Sequence, residues 1–143
     1  MNWMGILRWT ILGLVTWLIL SLVAGFIFGV INPEAKNDFI MYALGGMLVP
    51  LSVFISNIHY LFGLFASSSI IWAFLSKRFT SIEIGKFHIL FLLSFSSVFG
   101  IIIWLVFPLD RSLAIVGAIF TMLSILLPRL ISKKLFTGTF TPS

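Results

Sequence analysis

The chain has 143 residues, of which 60% are hydrophobic and only 9% charged, and its formal net charge is +5. A soluble globular domain carries about 25% charged residues, so a water-soluble fold of this composition would expose much apolar surface. The absence of cysteine excludes disulfides, thiolate metal sites and thiol nucleophiles. We therefore expect one all-α integral membrane domain over residues 1–143, a bundle of transmembrane helices with no soluble domain.

The first apolar run covers residues 9–31 and follows Arg8. It is longer than the h-region of a signal peptide, which is about 7–15 residues, and no small-residue cleavage site follows it. We predict a retained transmembrane span. The polar joint 32–38 closes this span, because Pro33 cannot continue a helix and Asp38 or the residue before it can cap the next one.

Residues 39–75 form one apolar stretch of 37 residues. A straight helix of that length would extend about 55 Å, whereas the hydrocarbon core of a bilayer is about 30 Å thick. The length predicts two spans, 39–56 and 60–75, with a tight turn at 57–59. The alternative is one span followed by a helix lying in the membrane interface. Such a helix needs a charged face, and no charged residue lies between Asp38 and Lys77.

The last two spans are predicted at 87–107 and 113–131. Thr80 and Glu83 have the spacing of a capping box before the first of these spans, and Pro108 ends it. This gives five transmembrane helices, and a bundle of four is the alternative.

Lysine and arginine residues predict the orientation of the chain, because cytoplasmic loops are enriched in them. The five-span order puts seven of the nine on the C-terminal side, and the four-span order also gives seven against two. Both orders therefore place the C-terminus in the cytoplasm of a multi-pass protein of the plasma (inner) membrane. The two orders differ only in the sides of Arg8 and Lys36.

Small residues at a spacing of four occur in the first span, at Gly25 and Gly29, and in the fourth, at Ser96 and Gly100. Residues four apart share a helix face, and small ones let another helix backbone come close. Packing within the chain is the favoured interpretation. A seam between copies is the alternative.

The second span contains Gly45, Gly46 and Pro50. Proline removes the hydrogen bond to the carbonyl four residues earlier, so we predict a kink there. Broken helices line binding sites in some transporters, but a packing kink is the favoured interpretation. The segment from Gly45 to Asn57 resembles a family of small bacterial polytopic membrane proteins with no assigned activity, so the resemblance implies no more than a bacterial membrane protein.

Few residues in the spans could perform chemistry. His59 and His88 would lie about a membrane thickness apart in the five-span order, which disfavours a haem held between them. Arg129 lies in the terminal turns of the last span, where its side chain could reach the headgroups. Ser67–Ser69 is expected to donate hydrogen bonds within its own helix or to a neighbouring one. We predict no catalytic residue, no metal site and no cofactor.

The function expected from this sequence is that of a non-catalytic accessory, assembly or immunity-type membrane protein acting through helix–helix contacts. Its expected partners are the lipid bilayer and other membrane-protein subunits or further copies of itself, with no nucleic acid. The alternative is a small oligomeric transporter or channel for an uncharged solute, built around the kinked second span and the serines of the third. An enzyme is not expected.

Overall fold

The computed structural model describes residues 3–78, 90, 93–102, 105 and 111–135, with the backbone alone at 76–78, 111–114 and 132–135. Every regular element within these residues is helical, which confirms the predicted all-α class. The elements, in chain order, are α1 (Trp3–Ile31), a short 3-10 helix (Pro33–Lys36), α2 (Phe39–Ser56), α3 (Ile58–Arg78), α4 (described over Leu93–Ile102) and α5 (Arg111–Leu135).

Three of the described helices are long and apolar enough to cross a membrane: α1, α2 and residues 58–75 of α3. The apolar parts described in α4 and α5 are shorter, Leu93–Ile102 and Ile115–Ile131. The five predicted crossings are therefore supported only in part. The predicted capping box at Thr80 and Glu83 lies outside the described residues.

The joint between α1 and α2 has the predicted cap. The Asp38 carboxylate accepts a hydrogen bond of 3.1 Å from the backbone N–H of Met41, so Asp38 is the N-cap of α2. Six residues earlier, the Asn32 side chain accepts a hydrogen bond from the N–H of Glu34 and caps the short 3-10 helix. Glu34 in turn accepts a hydrogen bond from the hydroxyl of Tyr42, which connects the joint to α2.

The surface of the described bundle is apolar and much of its interior is polar. Leu48, Phe28 and Leu105 are 61%, 71% and 76% exposed, whereas Ser96, Thr121 and Ser124 are fully buried. Each of these three hydroxyls donates to a carbonyl three or four residues earlier on its own helix. Buried hydroxyls beneath an apolar surface are typical of helices surrounded by lipid, where apolar side chains gain nothing by turning inward. This distribution supports the predicted membrane environment.

The structure differs from the predicted turn at 57–59. Only Asn57 separates α2 from α3, and its backbone N–H donates to Val53 O while its carbonyl accepts from Leu61 N, at 3.1 and 3.0 Å. Both bonds join residues four apart, as in an α-helix. A reversal between two antiparallel helices needs a loop of about 2–5 residues. The second and third predicted spans are thus one bent helical path.

Both α2 and α3 pack along α1, and they scarcely contact each other. Near the bend the Trp17 ring stacks on Phe54 at 5.8 Å, and Gly13 lies directly against the ring of Phe65. These two contacts are four residues apart along α1, which is about 6 Å of helix. They are eleven residues apart along the bent path of α2 and α3, which is about 16 Å. The α3 helix therefore runs obliquely across the first half of α1.

The core lies where α1, α3, α4 and α5 meet. Trp72 packs edge-on against Phe95 at 5.2 Å, and Phe95 contacts Phe99 at 5.0 Å. Phe65 of α3 is only 1% exposed. The helix α2 takes little part in this core, since Ala43 is its one described buried residue. The core residues are Trp17, Leu61, Phe65, Trp72, Phe95, Phe99, Ile125 and Leu126.

Candidate functional site

The close contact of α1 with α2 is built on glycine. A Cβ atom on Gly25 would overlap the carbonyl oxygen of Gly46, and one on Gly46 would overlap that of Gly25. One turn along, a Cβ on Gly29 would overlap the carbonyl of Tyr42. The absence of these side chains lets the two backbones touch, as small residues do at membrane helix contacts.

The same contact covers the carbonyl that proline leaves without its helical donor. Pro50 has no N–H, so the oxygen of Gly46 loses its usual partner four residues later. That oxygen lies against Gly25 instead, close to the point that a Cβ atom would occupy, and a weak Cα–H···O interaction there can replace part of the lost bond. The proline thus faces a packed helix contact in the described structure.

The other glycines and serines singled out from the sequence lie elsewhere. Gly45 faces outward, away from α1, and a Cβ atom placed on it would meet no described atom within 4 Å. Gly100 of α4 lies against α5, where a Cβ would come 2.7 Å from the carbonyl oxygen of Ala118. Ser96 is fully buried on the same helix as Gly100. The hydroxyls of Ser67 and Ser68 donate to carbonyls of their own helix at 2.7 Å, one of the two arrangements expected for them.

The most unusual side chain in the described structure is Arg129 of α5. The residue is only 3% exposed, so its side chain is enclosed by the bundle and does not extend along the outer surface of α5. The Cζ atom of its guanidinium lies over the indole rings of Trp9 and Trp72, at 5.0 and 5.2 Å from their centroids. Cations are attracted to the faces of aromatic rings, most strongly to tryptophan.

The guanidinium of Arg129 is only partly hydrogen-bonded. Nη1 donates to the carbonyl of Ile125 at 3.1 Å, whereas Nε and Nη2 are buried and have no hydrogen-bond partner among the described residues. These two nitrogens share one edge of the planar group, the edge that can hold a carboxylate or phosphate through two parallel hydrogen bonds. The site is therefore a buried cation with an unused pair of donors.

This cluster brings three helix ends together. Trp9 lies near the start of α1, Trp72 near the end of α3 and Arg129 near the end of α5. The five-span order puts Trp9 near the outer face and the other two near the inner face. Groups on opposite faces would be about 30 Å apart, and the observed separations are about a sixth of that.

The histidines do not contribute to this site. His59 is exposed on α3, with its ring 4.0 Å from that of the adjacent Tyr60, and His88 lies outside the described residues. In the described part of the chain, no three His, Asp or Glu side chains lie close enough together to hold a metal ion.

Sequence reasoning missed the Arg129 cluster, although α5 carries a signal for it. Thr121, Ser124 and Arg129 lie within about 140° of the circumference of α5, and all three are buried. In a helix surrounded by lipid, a face of polar residues is expected to turn inward. The two tryptophans could not be assigned to this face, because they lie 57 and 120 residues away along the chain.

Comparison of the chain with known protein families, curated proteins and solved structures finds no match. The resemblance noted at Gly45 to Asn57 therefore gains no support.

Proposed function

We propose that this chain is a non-catalytic membrane protein that acts through helix–helix contacts with other membrane-protein subunits or with further copies of itself. The observation that carries this proposal is the outer face of α2. Gly45, Ser52 and Ser56 lie on this exposed face at spacings of seven and four. Small residues and hydroxyls are typical of helix contacts in lipid, where they allow close approach and hydrogen bonding.

The position of α2 makes this face available to a partner. Described contacts of α2 with other helices are almost all with α1, and Leu48 and Val49 on its far side are 61% and 65% exposed. The glycines in the contact between α1 and α2 are Gly25, Gly29 and Gly46, and Gly45 lies outside this contact. A second helix could therefore pack on α2 without disturbing its contact with α1.

We infer further that the chain crosses the membrane four times, with the bent path of α2 and α3 as the second crossing. The shared position of Trp9, Trp72 and Arg129 supports this order, since it requires the start of α1 and the ends of α3 and α5 to be on one side. Seven of the nine Lys and Arg residues then lie on that side, which the positive-inside rule identifies as the cytoplasm of the inner membrane.

Photo-crosslinking tests the proposed partner face. A benzoylphenylalanine at Leu48, on the outer face of α2, is expected to crosslink to a defined protein or to a second copy in intact membranes. The same probe at Ile19 of α1, which is 55% exposed, serves as the control and should react only with lipid. Gly45→Leu should abolish the crosslinked species and leave the thermal stability unchanged, because no described residue lies against this position.

Free monomer alone on blue-native gels, together with no protein crosslink from position 48, would contradict the proposal. Equal crosslinking from positions 48 and 19 would also contradict it, because it would show random collision in the membrane.

A further inference from the structure

We propose that Arg129, whose guanidinium lies over the rings of Trp9 and Trp72, is a binding site for phosphate, and that the phosphate belongs to the headgroup of an anionic phospholipid. This inference goes beyond the proposed partner contacts of α2 and rests on different residues.

The first step is the geometry of the donors. Nη1 of Arg129 is engaged with Ile125 O, and the rings of Trp9 and Trp72 lie over the guanidinium. The edge formed by Nε and Nη2 is left without a partner in the described part of the chain. An oxyanion can accept from both nitrogens at once, and arginine is favoured at phosphate sites for this reason.

The second step is the charge. A buried cation without a counter-ion is costly, and buried charges in proteins are normally paired. Among the described acidic residues, Glu34 and Asp38 lie in the joint beyond the far end of α1, about 35 Å along that helix from Trp9. An anion supplied from outside the described chain would neutralise Arg129.

The third step is the position of the site along the helices. Arg8 directly precedes Trp9, Lys77 and Arg78 follow Trp72 by five and six residues, and Lys133 follows Arg129 by four. Basic clusters beside membrane helices attract anionic lipids, and basic sites between helices bind their headgroups. A phospholipid could bring its phosphate to this end of the bundle and leave its acyl chains against the apolar surface.

The donor edge is covered in the structure, so a headgroup must displace a covering side chain to reach it. We expect binding to be slow and the lipid to remain bound through mild purification.

Native mass spectrometry of delipidated protein tests the site with three probes: phosphatidylglycerol, phosphatidylcholine and inorganic phosphate. The wild type should bind one phosphatidylglycerol per chain, and phosphatidylcholine about tenfold more weakly. Arg129→Gln should weaken phosphatidylglycerol binding about tenfold or more, and Arg129→Lys should also weaken it, because lysine keeps the charge but loses the paired donors. Lys36→Gln removes the same charge in the exposed joint beyond the other end of α1 and should change binding less than about threefold.

Equal phosphatidylglycerol binding by the wild type and Arg129→Gln would overturn the site, as would a loss in Lys36→Gln equal to that in Arg129→Gln. Inorganic phosphate that displaces the lipid at millimolar concentration would overturn the lipid as the source and assign the donors to free phosphate. The double variant of Glu83→Gln and Arg129→Gln tests a carboxylate of the chain itself. If the two single variants lower the melting temperature equally and the double variant lowers it no further, that carboxylate binds Nε and Nη2 of Arg129, and the proposal fails.

If the Arg129 variants do not fold, the melting temperature of the wild-type protein with each lipid tests the proposal instead. Phosphatidylglycerol should raise the melting temperature of the wild-type protein, and phosphatidylcholine should not. Equal shifts with the two lipids would overturn the proposal.

Discussion

Gly46→Ala is expected to destabilise the protein by about 1–3 kcal/mol, the usual cost of forcing extra atoms into a packed contact. The new Cβ would overlap the carbonyl oxygen of Gly25 and lies close to the Cα of Gly29, at 3.1 Å. Both are backbone atoms, so the overlap is relieved only if α1 and α2 move apart. That movement would also expose the carbonyl that Pro50 leaves without its helical donor.

Gly45→Ala is the matched control for this prediction. It makes the same change one residue earlier on α2, at a position where a Cβ meets no described atom within 4 Å. Alanine favours a helix over glycine, so the control should be as stable as the wild type or more stable. Thermal unfolding of both variants in the same detergent measures the difference. Equal stability of Gly45→Ala and Gly46→Ala would contradict the described contact of α1 with α2.

Phe65→Ala is expected to destabilise the protein by about 2–3 kcal/mol. Truncating a buried phenylalanine in a soluble protein costs about 3–5 kcal/mol, part of which is transfer from water and part the cavity that remains. In lipid the transfer contribution largely disappears, because the unfolded helices are also in hydrocarbon. Phe65 is 1% exposed and packs between Gly13 of α1 and the core, so the cavity contribution should remain.

Phe62→Ala on the same helix separates this packing effect from a change in helix propensity. Phe62 is 45% exposed, and its truncation should change the stability by less than about 0.5 kcal/mol, as is usual for surface positions. Unfolding by denaturant in mixed micelles measures both variants. A loss for Phe62→Ala as large as that for Phe65→Ala would argue against an oblique α3 packed on α1.

The helices can be predicted from the sequence to within a few residues at most described ends. Long apolar runs indicate the interior of α1 and α2, and Asp38 marks the start of α2 as its cap. The largest difference is at the start of α1, which begins at Trp3 and not at Trp9. The charge of Arg8 suggests an end to the apolar run, but arginine is a good helix former and the helix continues through it.

The relation of α2 to α3 could not be predicted in the same way. Asn57 interrupts an apolar stretch whose length suggests two antiparallel spans, and nothing local distinguishes a reversal from a bend. Contacts with α1 determine the path of α2 and α3: Trp17 packs against Phe54, and Gly13 packs against Phe65. Such contacts join residues far apart in the sequence, and no local pattern contains them.

The burial of Arg129 was missed for a related reason. An arginine in the last turns of an apolar helix is expected to extend to the headgroups, and this expectation considers one helix only. In the bundle, Trp9 and Trp72 enclose the guanidinium from two other helices. The polar residues of α5 predict that their side of the helix turns inward. They do not predict which side chains of other helices surround Arg129.

Cysteine labelling in intact cells tests the four-crossing order most directly, and the chain has no native cysteine to remove. Single cysteines at Asn2, Lys36 and Ile58 are treated with a membrane-impermeant maleimide before and after permeabilisation. Four crossings predict that Lys36→Cys is labelled in intact cells, that Asn2→Cys is labelled only after permeabilisation, and that Ile58→Cys reacts poorly in both. Labelling of Asn2→Cys and Ile58→Cys in intact cells, with Lys36→Cys protected, would contradict the account.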